Sequence, residues 1–292
     1  QHQLHDEEGD VVLGRPAQWS QHVRVLDAVS LLADEPQQRL GVGAAQHLGG
    51  DVPTRAQVER AMRDGHNGYA PSAGISPARE AVAAECARRG MPVAPDRVLV
   101  TAGTSEGIEL ALTTLAGPGD DVLVPVPTYP LYTAVLAKIG ARPVFYGTHP
   151  SQSWVPDVQE IRRLITRTTR ALVVIDPNNP TGAVYPQSVR EQLIDIAERS
   201  GVPILADEVY ADLGFGGPLP LLGSLAQDAP ILSFSSLSKA YLAPGWRAGW
   251  LAVGAAQAIL HLEGLAPLEG RVVGGEARLP VLGVYPLAPA VS

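Results

Sequence analysis

The side chain with the clearest chemical potential is Lys239, which ends the segment Ser233-Phe234-Ser235-Ser236-Leu237-Ser238-Lys239. Serines and small apolar residues precede it, and Arg247 follows just before another apolar segment. A lysine that is removed from water near another cation loses its proton more readily, and its free amine then attacks carbonyl carbons. The alternative is a solvated surface charge. The pattern therefore makes Lys239 a candidate nucleophilic amine.

A second segment could bind an anion. Thr101-Ala102-Gly103-Thr104-Ser105-Glu106-Gly107 joins an apolar run to a helical pattern through small residues. The first turn of a helix carries free backbone N–H groups and a partial positive charge, which suit a phosphate group. The alternative is an ordinary helix start in which Thr104 or Ser105 caps the first turn.

Two further polar clusters follow apolar runs. Asp176-Pro177-Asn178-Asn179-Pro180-Thr181-Gly182 comes after the all-apolar run 171–175, where asparagine amides need partners such as a ligand hydroxyl. The alternative is a turn rich in Pro and Asn. In Ala206-Asp207-Glu208-Val209-Tyr210, the carboxylate of Asp207 ends a run that we expect to be buried, so it needs a cationic partner. A protonated ring nitrogen of a ligand would serve, and so would an Arg or Lys of the chain.

The elements that must position these residues are short strands and longer helices in alternation. The sequence predicts strands at 98–100, 122–124, 143–145, 171–175, 203–206, 231–234 and 249–253, and helices at 105–115, 131–139, 158–165 and 188–198. This alternation is typical of the α/β class, with a mostly parallel sheet sandwiched by helices. We expect 171–175 near the sheet centre, because all of its residues are apolar. Ligands bind such sheets at the carboxyl ends of the strands, so the polar clusters should form one site.

Composition excludes several classes of function. The chain has 292 residues, 46% hydrophobic content and a formal net charge of -8, with acidic and basic residues interspersed. It can form a globular core and has no basic stripe for nucleic acid. Its apolar runs are too short to span a membrane, and its first residues lack the pattern of a secretory signal. We therefore expect a cytoplasmic protein in which the single Cys86 is a buried thiol.

The ordered set of motifs resembles the class I and II aminotransferases of fold type I, which depend on pyridoxal 5'-phosphate. The resemblance runs from about Gly65 to Gly254 and is strongest to the alanine aminotransferases. It implies that Lys239 forms the Schiff base with the cofactor and acts as general base, and that Asp207 pairs with the pyridine nitrogen. The other implied cofactor contacts are Gly103, Thr104, Ser236 and Arg247 at the phosphate, Asn179 and Tyr210 at the ring oxygen, and Tyr129 stacked on the ring.

The same resemblance implies a homodimer. Gly68-Tyr69 before Ala73-Gly74-Ile75 is similar to the family segment in which a tyrosine reaches the cofactor phosphate of the neighbouring subunit. The alternatives are a tyrosine packed in a loop for Tyr69, and a surface or core aromatic in a proline-rich turn for Tyr129.

The two ends of the chain differ from the family pattern. We expect residues 1–60 to be a poorly matching N-terminal segment, 61–254 to be the cofactor-binding large domain, and 255–292 to be an aberrant or truncated tail. In this family a C-terminal small domain carries the arginine that binds the substrate carboxylate. We expect that small domain to be largely missing.

The resemblance implies a transaminase that moves an amino group between an amino acid, alanine or glutamate, and a 2-oxo acid. Two alternatives stay open: a fold-type I lyase or decarboxylase with the same cofactor, and a pyridoxal-phosphate-binding fragment with impaired catalysis. We expect no nucleic-acid or membrane partner.

Overall fold

The computed structural model describes residues 55–66, 68–214 and 217–254, and within them seven strands form one sheet. The strands are β1 (Val98–Thr101), β2 (Asp121–Val126), β3 (Arg142–Gly147), β4 (Thr169–Ile175), β5 (Ile204–Asp207), β6 (Ile231–Ser236) and β7 (Gly249–Gly254). Their order across the sheet is β1-β7-β6-β5-β4-β2-β3. β7 is antiparallel to its neighbours β1 and β6, and the other neighbours are parallel. The predicted mostly parallel sheet is confirmed.

Helices cover both faces of the sheet, as the sequence predicts. The described helices are α1 (Arg55–Arg63), α2 (Ser76–Arg88), α3 (Thr104–Leu115), α4 (Pro130–Ile139), α5 (Val158–Leu164) and α6 (Gln187–Ser200). Residues of α2, α5 and α6 share one apolar cluster with one face of the sheet, and residues of α3 and α4 share a second cluster with the other face. None of these described helices is long and apolar enough to cross a membrane.

The side chains of strand β4 pack against helices on both faces of the sheet. Successive side chains of a strand point to opposite faces of a sheet. Leu172 and Val174 lie in the cluster with α2 and α6, whereas Val173 and Ile175 lie in the cluster with α3 and α4. All four are buried, which explains the uninterrupted apolar run. β4 lies inside the sheet between β2 and β5, as predicted.

Proline and glycine set the limits of α4. The helix begins at Pro130, whose fixed φ suits the first helical position, and ends before Gly140, which has a φ of 76°. Tyr129, directly before Pro130, therefore lies in the loop that leaves β2.

The predicted flanking segments 1–60 and 255–292 lie outside the described residues, apart from 55–60 in α1. Cys86 lies in α2 and is buried, as predicted. Burial is the main cause that raises the pKa of its thiol to about 12.

Candidate functional site

The predicted polar clusters meet along one edge of the sheet. β1 ends at Thr101 and β6 ends at Ser236, and both residues pair with Gly249, the first residue of β7. Asp207, the last residue of β5, pairs with Ile175, the last residue of β4. Because these strand ends are close in the sheet, the loops that leave them share one surface.

Gly103 and Arg247 approach each other closely at this edge. Gly103 precedes α3 with a φ of 91°, a conformation that favours glycine. A Cβ atom at Gly103 would lie 2.5 Å from Nη2 of Arg247, so glycine leaves the room that the guanidinium occupies. The same Nη2 donates to the carbonyl oxygen of Ala102 at 3.2 Å. The guanidinium is thereby fixed beside the first turn of α3.

The first turn of α3 has no side-chain cap. The alternative in which Thr104 or Ser105 caps the helix is therefore wrong, because the capping position is Gly103, which has no side chain. The hydroxyl oxygen of Thr104 is buried and has no hydrogen-bond partner among the described residues. A positive helix end, an unpaired hydroxyl and a guanidinium together suit an anionic group.

Close backbone packing places β7 against this turn. A Cβ atom at Gly249 would lie 2.6 Å from the carbonyl carbon of Gly103 and 2.7 Å from the backbone nitrogen of Thr104. Ser236, which pairs with Gly249, is buried, and its hydroxyl accepts from the backbone N–H of Ser238 at 3.2 Å. The end of β6 therefore lies near the Gly103 turn.

Asp207 is a buried carboxyl group that forms no ion pair with any Arg or Lys in the described part of the chain. Its Oδ2 accepts from the hydroxyl of Tyr132 at 3.0 Å, and its Oδ1 accepts a long bond of 3.4 Å from the backbone N–H of Val209. Burial raises the pKa of Asp207 to about 6, and these two hydrogen bonds oppose the rise. The alternative of an internal salt bridge is not supported, so a cation from a ligand would find this carboxylate unpaired.

Tyr132 is a site residue that sequence reasoning missed. It lies on α4 with Val135 and Leu136, and its helical spacing with these apolar residues marks it as part of the core. The available signal was its hydroxyl, because a buried tyrosine oxygen needs a polar partner. Burial, and then the nearby charge of Asp207, hold the pKa of Tyr132 well above its usual range. The hydroxyl therefore stays protonated and donates to Asp207.

Lys239 lies in the turn after β6, and its side chain is exposed. Its Nζ is 5.7 Å from the centre of the Tyr210 ring, within the range of a cation–π contact. Tyr210 lies in the loop that follows Asp207, so this contact joins the lysine to that loop. The exposure agrees with a solvated charge, but the contact places the amine at the predicted site.

The two asparagines after β4 have different surroundings. Asn178 is buried, and its Oδ1 accepts from the hydroxyl of Thr181 at 2.9 Å and from the backbone N–H of the same residue at 3.3 Å. Its side chain thus builds the turn that we gave as the alternative. Asn179 is half-buried, and its side chain forms no hydrogen bond with the described residues. Asn179 is therefore the amide that is free to bind a ligand.

The two remaining candidates are tyrosines. Tyr129 is half-buried and packs against the apolar cluster of α3 and α4. Tyr69 lies between α1 and α2 with a fully exposed side chain, so it contacts none of the other candidates within the described residues. The structure therefore does not support the alternative in which Tyr69 packs within a loop.

The arrangement suits a small ligand that carries opposite charges. The turn at Gly103, with Thr104 and Arg247, would bind an anionic group, and the carboxylate of Asp207 would bind a protonated nitrogen. The amine of Lys239 lies at the same edge, where it could react with an electrophilic carbon of that ligand.

Comparisons with known proteins agree with these features. The family model described as aminotransferase class I and II matches residues 35–268. This match is longer at both ends than the resemblance seen in the motifs.

Individual relatives are similar to the chain over much of its length. It is 37% identical to tyrosine aminotransferase from Mus musculus over 234 residues, which are 77% of this chain and 52% of the relative. It is 42% identical to alanine aminotransferase from Mycobacterium tuberculosis over 191 residues, which are 64% of this chain and 44% of the relative. The chain spans about half the length of these relatives.

Solved structures show the same fold. The structure of alanine aminotransferase from Pyrococcus furiosus superposes with a TM-score of 0.69 at 33% identity, covering 86% of this chain and 66% of that one.

Proposed function

Because the chain belongs to the aminotransferase class I and II family, we propose that it holds pyridoxal phosphate at the described sheet edge and transfers an amino group between an amino acid and a 2-oxo acid. Enzymes of this family use pyridoxal phosphate. The observation that carries the proposal is Asp207, a buried carboxyl group that has no cationic partner in the described chain and lies at the end of β5, on the sheet edge that also holds Lys239. A buried carboxylate of this kind costs free energy unless a cation reaches it, and the protonated pyridine nitrogen is such a cation.

The anion site fits the phosphate of this cofactor. The buried hydroxyl of Thr104 lacks a partner in the described chain, and a side chain at Gly103 would displace the guanidinium of Arg247 from its place beside the turn. Arg247 supplies the positive charge, and Ser236 lies at the adjacent strand end. These four residues would bind the phosphate through charge and hydrogen bonds.

The remaining candidates would hold the ring. Asp207 would pair with the ring nitrogen, and Tyr132 keeps its carboxylate in place. Asn179 and Tyr210, from the loops that leave β4 and β5, would bind the ring oxygen, and Tyr129 would stack on the ring face.

When bound, the cofactor supplies a carbonyl carbon that reacts with amines and a ring that accepts electrons. Lys239 is the amine that would hold the cofactor covalently. Once substrate displaces it, its Nζ can accept a proton from the substrate Cα and return it, as a general base and acid. The carboxylate of Asp207, once paired, keeps a proton on the ring nitrogen.

The proposed amino donors are alanine and glutamate, supported by the 42% identity to an alanine aminotransferase. A homodimer is proposed because the fully exposed Tyr69 could contact a neighbouring subunit, and a cytoplasmic location is proposed from the sequence pattern. The cofactor-binding unit is proposed to be residues 61–254 and the other segments to flank it.

The test is a visible absorbance spectrum of the purified chain after incubation with pyridoxal phosphate and removal of the unbound cofactor, followed by addition of alanine. We expect a cofactor band that is absent in Lys239→Ala, a change of that band with alanine, and the appearance of the 2-oxo acid. Lys138→Ala is the matched control, because Lys138 lies on α4 and pairs with Glu109 at the surface. No band in the wild type, or equal bands in wild type and Lys239→Ala, would refute the proposal.

The same assay separates the alternatives. A transaminase consumes amino acid and 2-oxo acid in equal amounts, whereas release of ammonia or carbon dioxide would identify a lyase or decarboxylase. A band that depends on Lys239 without any turnover would identify a cofactor-binding chain with impaired catalysis.

A further inference from the structure

A buried charged cluster lies beneath the candidate site, on the face of the sheet opposite Asp207 and Tyr132. Asp176 and Glu208 directly follow the last residues of β4 and β5, Ile175 and Asp207, which are paired in register. Successive strand residues point to opposite faces.

Arg190, in the first turn of α6, lies between the two carboxylates. Its Nε is 3.3 Å from Oδ2 of Asp176, and its Nη2 is 4.0 Å from Oε1 of Glu208. Nη2 also donates to the carbonyl oxygen of Pro220 at 2.6 Å. Arg190, Asp176 and Glu208 are all buried, so the guanidinium has exchanged water for contacts with three chain segments.

Asp176 is the main counter-charge of Arg190. It is the nearer carboxylate, although the N–H of Nε is not aligned for a hydrogen bond with it. Glu208 is already satisfied by the backbone N–H of Leu222 at 2.6 Å and by the hydroxyl of Ser233. Burial raises the pKa of both carboxyl groups, that of Glu208 to about 7, and the charge of Arg190 opposes the rise in each.

The other oxygen of Asp176 closes the loop that presents Asn179. Its Oδ1 accepts from the backbone N–H of Tyr185 at 3.1 Å. Inside this closure, the backbone N–H of Asn178 donates to the carbonyl of Ala183 at 2.8 Å. Asp176 therefore fixes the two ends of the loop 176–185, and Arg190 ties that closure to α6 and to the end of β5.

We propose that Arg190 is a positioning residue whose ion pair with Asp176 fixes the Asn179 loop relative to the Asp207–Tyr210 loop. This inference rests on the proposed function, since Asn179, Tyr210 and Asp207 are the residues that would hold the cofactor ring. The ring is rigid, so these side chains can all bind it only if the two loops keep one spacing. Arg190 reaches both loops from below without touching the ligand.

A purely structural role makes a different prediction. In that case the loss of Arg190 would lower stability, but the protein that remains folded would bind pyridoxal phosphate as the wild type does. In a positioning role, the folded variant also binds the cofactor more weakly and in an altered orientation. Relief of the buried charge on Asp176 in the double variant should then restore stability but not cofactor binding, because that variant still lacks the ion pair that sets the loop spacing.

The experiment uses the full chain and four variants: Arg190→Met, Asp176→Asn, the double variant of both, and Arg162→Met. Arg162 is the matched control, because this residue of α5 pairs at 2.6 Å with Asp195 on α6, the helix of Arg190, and is half-buried rather than buried. The readouts are the dissociation constant of pyridoxal phosphate from a titration of the apo-protein, the circular dichroism of the bound-cofactor band, and the urea unfolding midpoint of the apo-protein.

We expect Arg190→Met to raise the dissociation constant at least about tenfold and to change the dichroism of the band, since misplacement by a fraction of an ångström is costly at a rigid site. The double variant should recover most of the urea midpoint lost in Arg190→Met but keep the raised dissociation constant, since neither variant has the ion pair. Arg162→Met should leave both cofactor readouts unchanged.

Three results would overturn the inference: unchanged binding and dichroism in folded Arg190→Met, wild-type binding in the double variant, or an equal defect in Arg162→Met. If Arg190→Met does not fold, Arg190→Lys decides, because one ammonium cannot reach all three partners. Wild-type affinity in Arg190→Lys would then count against the inference. A wild type with no cofactor band would instead refute the proposed function, and the inference with it.

Discussion

Tyr132→Phe tests the electrostatics of the site before any ligand is added. The substitution removes one hydroxyl from a fully buried ring and leaves Oδ2 of Asp207 without its donor at 3.0 Å. A hydrogen bond to a charged group contributes about 1.5–3 kcal/mol, and one between neutral groups about 0.5–1.5 kcal/mol. The cost of the substitution should therefore depend on whether Asp207 is ionised.

The pKa of about 6 sets the pH window for this test. The ordinary value for Asp207 is 3.8, so burial raises the pKa in the folded state. Between these two values the folded protein binds more protons than the unfolded chain, and stability from this group falls as the pH rises. Asp207 is mostly protonated at pH 5 and ionised at pH 8. Tyr132→Phe should raise the pKa of Asp207 further, because the hydroxyl stabilises the ionised form.

We expect Tyr132→Phe to lower the free energy of unfolding of the apo-protein by about 1 kcal/mol at pH 5 and by about 2 kcal/mol at pH 8. The measurement is urea unfolding at both pH values. Tyr146→Phe is the control, because Tyr146 is also fully buried but its hydroxyl donates to the uncharged carbonyl of Val173 at 2.7 Å. Its cost should change less between the two pH values than that of Tyr132→Phe, because its acceptor is uncharged and the carboxyl of Asp176 acts on it without a hydrogen bond. Equal costs at pH 5 and pH 8 for Tyr132→Phe would refute the reasoning.

Two further predictions concern packing. Gly249→Ala should lower stability by about 1–3 kcal/mol and weaken pyridoxal-phosphate binding, because its Cβ would overlap the backbone of Gly103 and Thr104. Urea unfolding and cofactor titration measure these two effects. Gly245→Ala is the control and should behave as the wild type, because its Cβ would enter open space. Equal behaviour of the two variants would contradict the packing argument. Cys86 should not react with a thiol reagent at pH 8 in the native protein and should react fully in urea, because burial raises its pKa to about 12; rapid native labelling would show that the thiol is accessible.

The sheet was predictable because its strands have simple patterns. The run 171–175 is apolar at every position, and both of its faces are covered in the structure. The end of β6 was harder, since Ser235 and Ser236 continue the strand beyond the predicted range 231–234. Buried polar residues at a strand end do not continue the hydrophobic pattern that predicts a strand, and their hydrogen-bond partners come from distant parts of the chain.

The candidate site was predictable where residues follow strands, and not where helices supply them. Tyr132 has the spacing of a core residue on its helix. The sequence gives one sign of a further role, because a buried tyrosine hydroxyl requires a hydrogen-bond partner. Arg190 gave a comparable signal, because it lies three and four positions before the buried Leu193 and Ile194 on the same helix face. A charge on an apolar helix face predicts a buried partner, but the sequence does not say that the partner is Asp176.

The number of residues in β5 determines which face of the sheet each of the neighbouring carboxylates Asp207 and Glu208 occupies. They differ by one methylene group and face opposite sides of the sheet, one toward Tyr132 and the other toward Arg190. Deletion of a single residue from β5 would turn the strand over and exchange them, so that the same two acids would each meet the wrong partner. Such a frame-preserving deletion would abolish the site without removing any of its functional groups, whereas deletion of one residue from the exposed turn at Pro118 and Gly119 should be tolerated.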